Sequence, residues 1–288
     1  MTTLSLAPSM TRQPSRRLRP ALGHLGPAAA FLFLALLAVA ALAPHLLTHA
    51  DPLAIAPRDA FHAPSAAHPF GTDQSGRDIL ARVIHGARQS LALGGGAITL
   101  SLGIATILAL VGGLGGRIAE QGVRWLIDIL FAFPVLVLAL LCTATLGSGI
   151  VPLIVAIGVG SAAGYTRMVF GQVLSVRDAG YVEAARALGH GPLRIVARHI
   201  LPNAFRPLVV TATMGVGQTV VWSAALSFLG LGAPPPAAEW GTMLSMGRDF
   251  IAEAWWMTFF PGLAIVLTML STTVAGRALQ RAIEGRGP

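Results

Sequence analysis

The 288 residues carry 20 arginines, no lysine and 12 acidic groups, so charged residues make up 11% of the chain, where an ordinary soluble domain has about 25%. With 54% hydrophobic residues and a mean hydropathy of +0.70, this composition excludes a soluble enzyme, a disordered chain and a collagen-like one. The net charge of +8 is not a nucleic-acid footprint, because the arginines sort by membrane side instead of forming one groove.

Five stretches lack Arg, Asp and Glu: Ala21–Ala50, Gln89–Gly116, Ile129–Thr166, Pro207–Ala238 and Ala254–Gly276. Each exceeds the roughly 20 helical residues that cross a hydrocarbon core of about 30 Å. The third contains Gly147, Ser148, Gly149 and Pro152, a turn between two apolar halves. The expectation is an all-α, polytopic integral membrane protein with six transmembrane helices, at 27–47, 90–112, 124–146, 151–171, 206–229 and 256–276.

In chain order, residues 1–26 read as a cytoplasmic tail. Ala41-Leu42-Ala43 resembles a signal cleavage site, but the apolar segment exceeds a signal core and Pro44 would follow the cut, so 27–47 reads as an uncleaved first helix. Residues 48–89 form an external loop rich in proline that leads into a short amphipathic stretch. The core then runs over 90–279. Its second span is dense in glycine (Gly94, Gly95, Gly96, Gly103, Gly112, Gly113, Gly115 and Gly116), either for close helix packing or as a pliable element. Pro134 predicts a bend in the third span. Residues 230–255 are a second external segment, and the adjacent Trp255 and Trp256 suit the headgroup level. Residues 280–288 close the chain as a second cytoplasmic tail.

Placing both termini on one side gives that side fifteen arginines and five acids, net +10, and the other five arginines and seven acids, net −2. The positive-inside rule makes the first side cytoplasmic. On it lies the loop 172–205. Tyr181 to Ala187 has strong helix character, Gly189, His190, Gly191 and Pro192 interrupt it, and Leu193 to Ile200 resumes. Val182, Ala185, Leu188, Ile195, Val196 and Leu201 are more apolar than a solvated connection requires. The pair is therefore either a docking element for another protein or a surface lying on the membrane.

Catalytic constellations are weak. His45, His49, His62 and His68 share the external loop without a geometry to hold a metal. The lone Cys142 makes no thiol cluster, and a chain without lysine forms no Walker site. The charge-free runs hold no mid-membrane carboxylate, which counts against an ion-coupled secondary carrier acting alone. Asp128 and Arg167 sit near the inner ends of their spans, as interface anchors or as a lining pair.

Tyr181-Val182-Glu183-Ala184-Ala185, Gly189 and His199-Ile200-Leu201-Pro202-Asn203 resemble the cytoplasmic signature loop of bacterial ABC importer permeases. His68-Pro69-Phe70-Gly71-Thr72-Asp73-Gln74, Gly76-Arg77-Asp78, Leu226-Ser227-Phe228-Leu229-Gly230-Leu231-Gly232, Glu239-Trp240-Gly241 and Phe260-Pro261-Gly262-Leu263-Ala264 are similar to the dipeptide, oligopeptide and nickel group. Gly276-Arg277 departs from the Gly-Asp usual there.

The resemblance implies an ABC type I importer permease fold and a non-catalytic inner-membrane subunit that moves dipeptides or oligopeptides, with nickel, glutathione or another small solute as the alternative. It implies no cofactor in this chain, with ATP and Mg in partner subunits. The partners would be a homologous second permease, two cytoplasmic ABC ATPases, an external solute-binding protein and membrane lipid, and no nucleic acid. Glu183, Ala184, Ala185, Arg186, Leu188 and Gly189 match the coupling helix that docks on the ATPase. Gly71, Thr72, Asp73, Gly76, Arg77 and Asp78 match the motif at the external entrance, which either braces the entrance, meets the binding protein or forms an internal salt-bridge and capping network.

Overall fold

The computed structural model describes residues 22–283, and its regular elements are all helical. The two predicted tails fall mostly outside these residues. α1 (Leu22–Leu42) leads through a proline-rich segment to α2 (Ile79–Leu114). α3 (Gly116–Phe131) and α4 (Val135–Leu146) follow, then α5 (Ile150–Arg177), α6 (Gly180–Ala187) and α7 (Pro192–Ile195). α8 (Leu201–Phe228), α9 (Trp240–Gly247) and α10 (Trp256–Ile283) complete the order.

Where the sequence predicts six crossings, four helices among the described residues are long and apolar enough to cross a membrane: α2, α5, Pro207–Phe228 of α8, and α10. The pair α3 and α4 makes a fifth if counted as one span, bent by 88°. Pro134 sits at that bend as the N-cap of α4, where its missing N–H costs nothing but where it cannot continue α3. The predicted first span coincides with α1. Its apolar part, Gly26–Leu42, reaches about 25 Å at 1.5 Å per residue, short of the ~30 Å core. A 3-10 turn starting at Pro44 ends it.

α2 is longer than predicted. At 36 residues it extends about 54 Å, and the amphipathic stretch before residue 90 is its first turns, so the 89/90 boundary falls inside a continuous helix. The Asp78 side chain starts it by accepting the Ala81 N–H at 2.8 Å, an N-cap that satisfies one orphan donor. The second half of the predicted helix pair at 172–205 is likewise not free-standing. α7 runs through a π-helical turn, Val196–Ile200, directly into α8. Pro202 has no N–H for the Arg198 carbonyl, and the wider turn absorbs its ring.

α2 lies centrally against α5 and α8, with α10 on α8, α1 on α10 and α4 on α5. The glycine run of α2 divides by position. A Cβ on Gly94 would lie 2.4 Å from Val220 and one on Gly113 2.4 Å from Val173, whereas Gly95 and Gly103 face open space. At the first crossing Thr219 Oγ1 donates to the Gly94 carbonyl at 2.8 Å, the close approach that small residues permit. Gly113→Leu is expected to cost about 1–3 kcal/mol by overpacking. A detergent melting curve unchanged from wild type would refute that packing.

Candidate functional site

At the end where α5 stops and α8 begins, α6 divides its residues between two environments. Val182 (0% exposed) and Ala185 (4%) are buried in a cluster with Val173 of α5, Ile195 of α7 and Ile200 and Ala204 of the following turns. Glu183, Ala184, Arg186 and Ala187 face outward. Leu188 is 78% and Leu193 85% exposed, and Tyr181 is exposed too. Of the predicted apolar docking residues, Val182, Ala185 and Ile195 are thus spent inside the chain and Leu188 stays outside; Leu193, which is not among them, adds to the free apolar surface.

The end of α6 is built on glycine. Gly189 has φ +79°, its N–H donates to Arg186 O at 2.9 Å, and the His190 N–H donates to Ala185 O at 3.1 Å. This pair of bonds is a Schellman ending, which needs a left-handed residue at that position. A Cβ on Gly189 would meet nothing within 4 Å, so the constraint is backbone conformation and not space. At the start of the loop Arg177 Nε donates to Asp178 at 2.9 Å and holds that carboxyl below the usual carboxylate range. Arg177 also donates to the Gly113 carbonyl at 3.0 Å and lies 3.5 Å from Glu120, tying the loop to the α2–α3 turn.

At the opposite end the residues 71–78 close into a knot. Gly71, Thr72, Asp73, Gly76 and Arg77 are buried. Thr72 forms an isolated bridge with Asp78, and its hydroxyl donates to the Asp59 carbonyl. Asp73 Oδ1 accepts the N–H groups of Ser75 and Arg77 at 2.8 and 2.9 Å. Its Oδ2 lies 3.4 Å from Arg77 Nη1 and 3.9 Å from Arg82 Nε. Asp78 accepts from His68 Nδ1 at 2.9 Å while capping α2.

Arg82, 1% exposed, donates to the carbonyls of Pro52 and Ala237 at 3.3 and 3.1 Å, joining the segment before α2 to the segment before α9. Glu239 caps α9 through Gly241 N and Thr242 N at 2.9 and 2.8 Å. The sequence reading names Glu239 only within a motif and gives Arg82 no role, because nothing local marks the Arg82 partner 155 residues away. Trp256, expected to present its ring to lipid headgroups, is instead buried in the protein, and its indole N–H donates to Thr72 O at 3.0 Å. Its neighbour Trp255 is the exposed one.

Asp128 and Arg167 meet as an exposed pair at 3.0 Å, with the Arg167 guanidinium 4.3 Å from the Phe131 ring centroid. Among the described residues no group of three His, Cys, Asp or Glu side chains is placed to hold a metal ion.

A bundle of helices long and apolar enough to cross a membrane, with a short helix half-buried at one end, is the architecture of a polytopic membrane protein. Residues 97–286 match the family model described as "binding-protein-dependent transport system inner membrane component". The chain is 40% identical over 239 residues to the dipeptide transport system permease protein DppC of Alkalihalophilus pseudofirmus, covering 83% of this chain and 79% of that one. It is 37% identical over 262 residues to the glutathione transport system permease protein GsiD of Pectobacterium atrosepticum, covering 91% and 87%. In fold it resembles a solved MetNI methionine ABC transporter chain in an inward-facing conformation, with TM-score 0.57 at 23% identity over 71% of this chain and 97% of that one. The chain belongs to the family of binding-protein-dependent transport system inner membrane components. It is a non-catalytic, transmembrane permease subunit of an ABC importer.

Proposed function

We propose that this permease imports dipeptides or oligopeptides, and that α6 is the helix on which its ATPase partners act. The cargo class is supported by the dipeptide relative at 40% identity. The glutathione relative points the same way, because glutathione is itself a small peptide. The observation that carries the docking role is the two-sided burial of α6. Val182 and Ala185 are buried in the cluster that also holds residues of α2, α5, α7 and α8, while Glu183, Ala184, Arg186 and Leu188 stay outside with the Gly189 turn. A push on the outer face is then passed through this cluster and through α7, which continues into α8, as a rigid displacement. Ala184 permits close approach, and Leu188 and Leu193 offer apolar anchors.

In this reading a homologous second permease covers the exposed apolar sides of α3 and α4, two ATPases bind below, and a solute-binding protein delivers cargo to the opposite end. The 71–78 knot braces that end, since its side chains are turned inward. Both termini lie on the cytoplasmic side with α6, and α1 completes six crossings, the bilayer thinning or the neighbouring 3-10 turn making up its short length.

The test is co-expression of the complex from neighbouring reading frames, reconstitution into vesicles, and uptake of labelled Ala-Ala with and without ATP. ATP-dependent accumulation is expected; uptake that proceeds fully without any ATPase overturns the reading. A maleimide that cannot cross the membrane should label a cysteine placed at Glu183, in a Cys142→Ser background, only from the cytoplasmic side.

A further inference from the structure

α10 runs from the knot end, where Trp256 donates to Thr72 O, toward the end that carries α6. It rises about 31 Å between Trp256 and Arg277, close to the hydrocarbon core of about 30 Å. With the exposed Trp255 at one headgroup level, Arg277 stands at the other and Arg281 one turn beyond it. Both arginines are exposed, and among the described residues neither has an ion-pair partner. Arg277 is also where the chain departs from the Gly-Asp usual in the group it resembles, so a cation stands in place of an acid.

These arginines end an apolar stripe. At about 100° per residue, Leu263, Leu267, Leu270, Val274, Arg277 and Arg281 share a strip of α10 about 80° wide. Leu263, Leu267 and Leu270 are exposed. Toward the knot end the strip forms one wall of a 320 Å³ cavity between α1, α2 and α10. α1 lines it with Phe33, Leu36 and Ala40, and α10 with Leu263 and Leu267. No lining side chain is charged, and the Trp240 indole N–H is already spent on Val83 O at 2.9 Å. Leu36, Leu263 and Leu267 are exposed at its rim, so the cavity opens on the outside of the bundle.

Length, charge and position select the occupant. Leu267 lies about 15 Å along the axis from Arg277, half of the hydrocarbon core, so an acyl chain anchored at the arginines ends at the cavity. From 277 onward the chain holds three arginines and one acid, and the residues before α1, which starts at the same end, hold four arginines and no acid. Guanidiniums take phosphate oxygens in bidentate pairs, and anionic headgroups attract basic residues beside a span. α10 packs on α8 and α1, whereas α3 and α4 pack on α5, so this seam is apart from the surface assigned to the second permease.

We propose that the α1–α10 seam binds an anionic phospholipid of the leaflet at the α6 end. Its phosphate sits on Arg277 and Arg281, and one acyl chain runs along Val274 and Leu270 to the cavity at Leu267.

The experiment places the whole permease and ATPase complex in phosphatidylcholine nanodiscs with a trace of phosphatidylglycerol carrying a diazirine on its acyl chain. Crosslinks are mapped by mass spectrometry and are expected in wild type within 263–274 and 33–40. Arg277→Gln/Arg281→Gln is expected to lower this labelling about twentyfold, from about fivefold for each basic residue at a membrane surface. A diazirine phosphatidylcholine with the same acyl chains should label both proteins weakly and equally. Equal labelling of wild type and variant by the anionic probe, or of wild type by the two probes, overturns the site. Suppression by millimolar inorganic phosphate overturns it in favour of a soluble anion. Labelling that appears only when the ATPases are left out overturns it in favour of an ATPase contact. If the double variant fails to assemble, Arg277→Asp, which restores the acid usual at that position, should lower the labelling at least about fivefold; unchanged labelling there overturns the site as well.

Discussion

Asp73→Ala is expected to destabilise the permease by about 3–5 kcal/mol, the cost of leaving buried cations without their counter-charge. Asp73 is 4% exposed and stands between Arg77 and the 1%-exposed Arg82, and its other oxygen holds two backbone N–H groups of the turn. Losing it strands two guanidiniums and opens the turn that seats Gly71 against Trp256. In detergent the melting transition should fall by several degrees, and limited proteolysis should cut first within 52–78. The double variant Asp73→Ala/Arg82→Met should recover part of the loss, because it removes the deeper cation together with its partner. A single variant that melts with wild type would show that the knot contributes nothing.

Gly189→Trp is expected to lower ATP-driven uptake at least about tenfold while leaving insertion in the membrane intact. Two effects add. The left-handed backbone at φ +79° costs a residue with a Cβ about 1–2 kcal/mol, which loosens the α6 ending. The ring then projects into open space next to Leu188 and Leu193, on the face assigned to the ATPase. Gly189→Ala carries only the first effect and should fall between wild type and Trp. Co-purification of the ATPases with the Trp variant measures the docking. Wild-type recovery together with wild-type uptake would detach this turn from coupling. Val182→Asp is a contrasting case, since it should damage the bundle itself by placing a charge in the core.

The membrane class and the all-helical fold were legible from charge-free runs alone, because a bilayer tolerates few charges and only hydrogen-bonded helices or closed barrels. Pro134 marked the bend between α3 and α4, and the Tyr181 to Gly189 stretch marked the short helix and its glycine ending, since caps and breaks are local backbone chemistry. The motif residues 71–78 were also visible as a group.

Tertiary structure alone decided how those residues are used. Apolar periodicity cannot tell a lipid-facing side from a helix-facing one when both surroundings are apolar, so Val182 and Leu188 look alike in sequence and end on opposite faces of the loop. Arg82 finds Ala237 across 155 residues, and Phe131, Tyr165 and Trp222 converge on one cavity from three helices. The sequence by itself determined the break at Pro134 and the glycine ending of α6; the packing of α2 against α5 and α8 determined which of their side chains are spent in the core and which remain free, because those pairings join residues far apart in the chain.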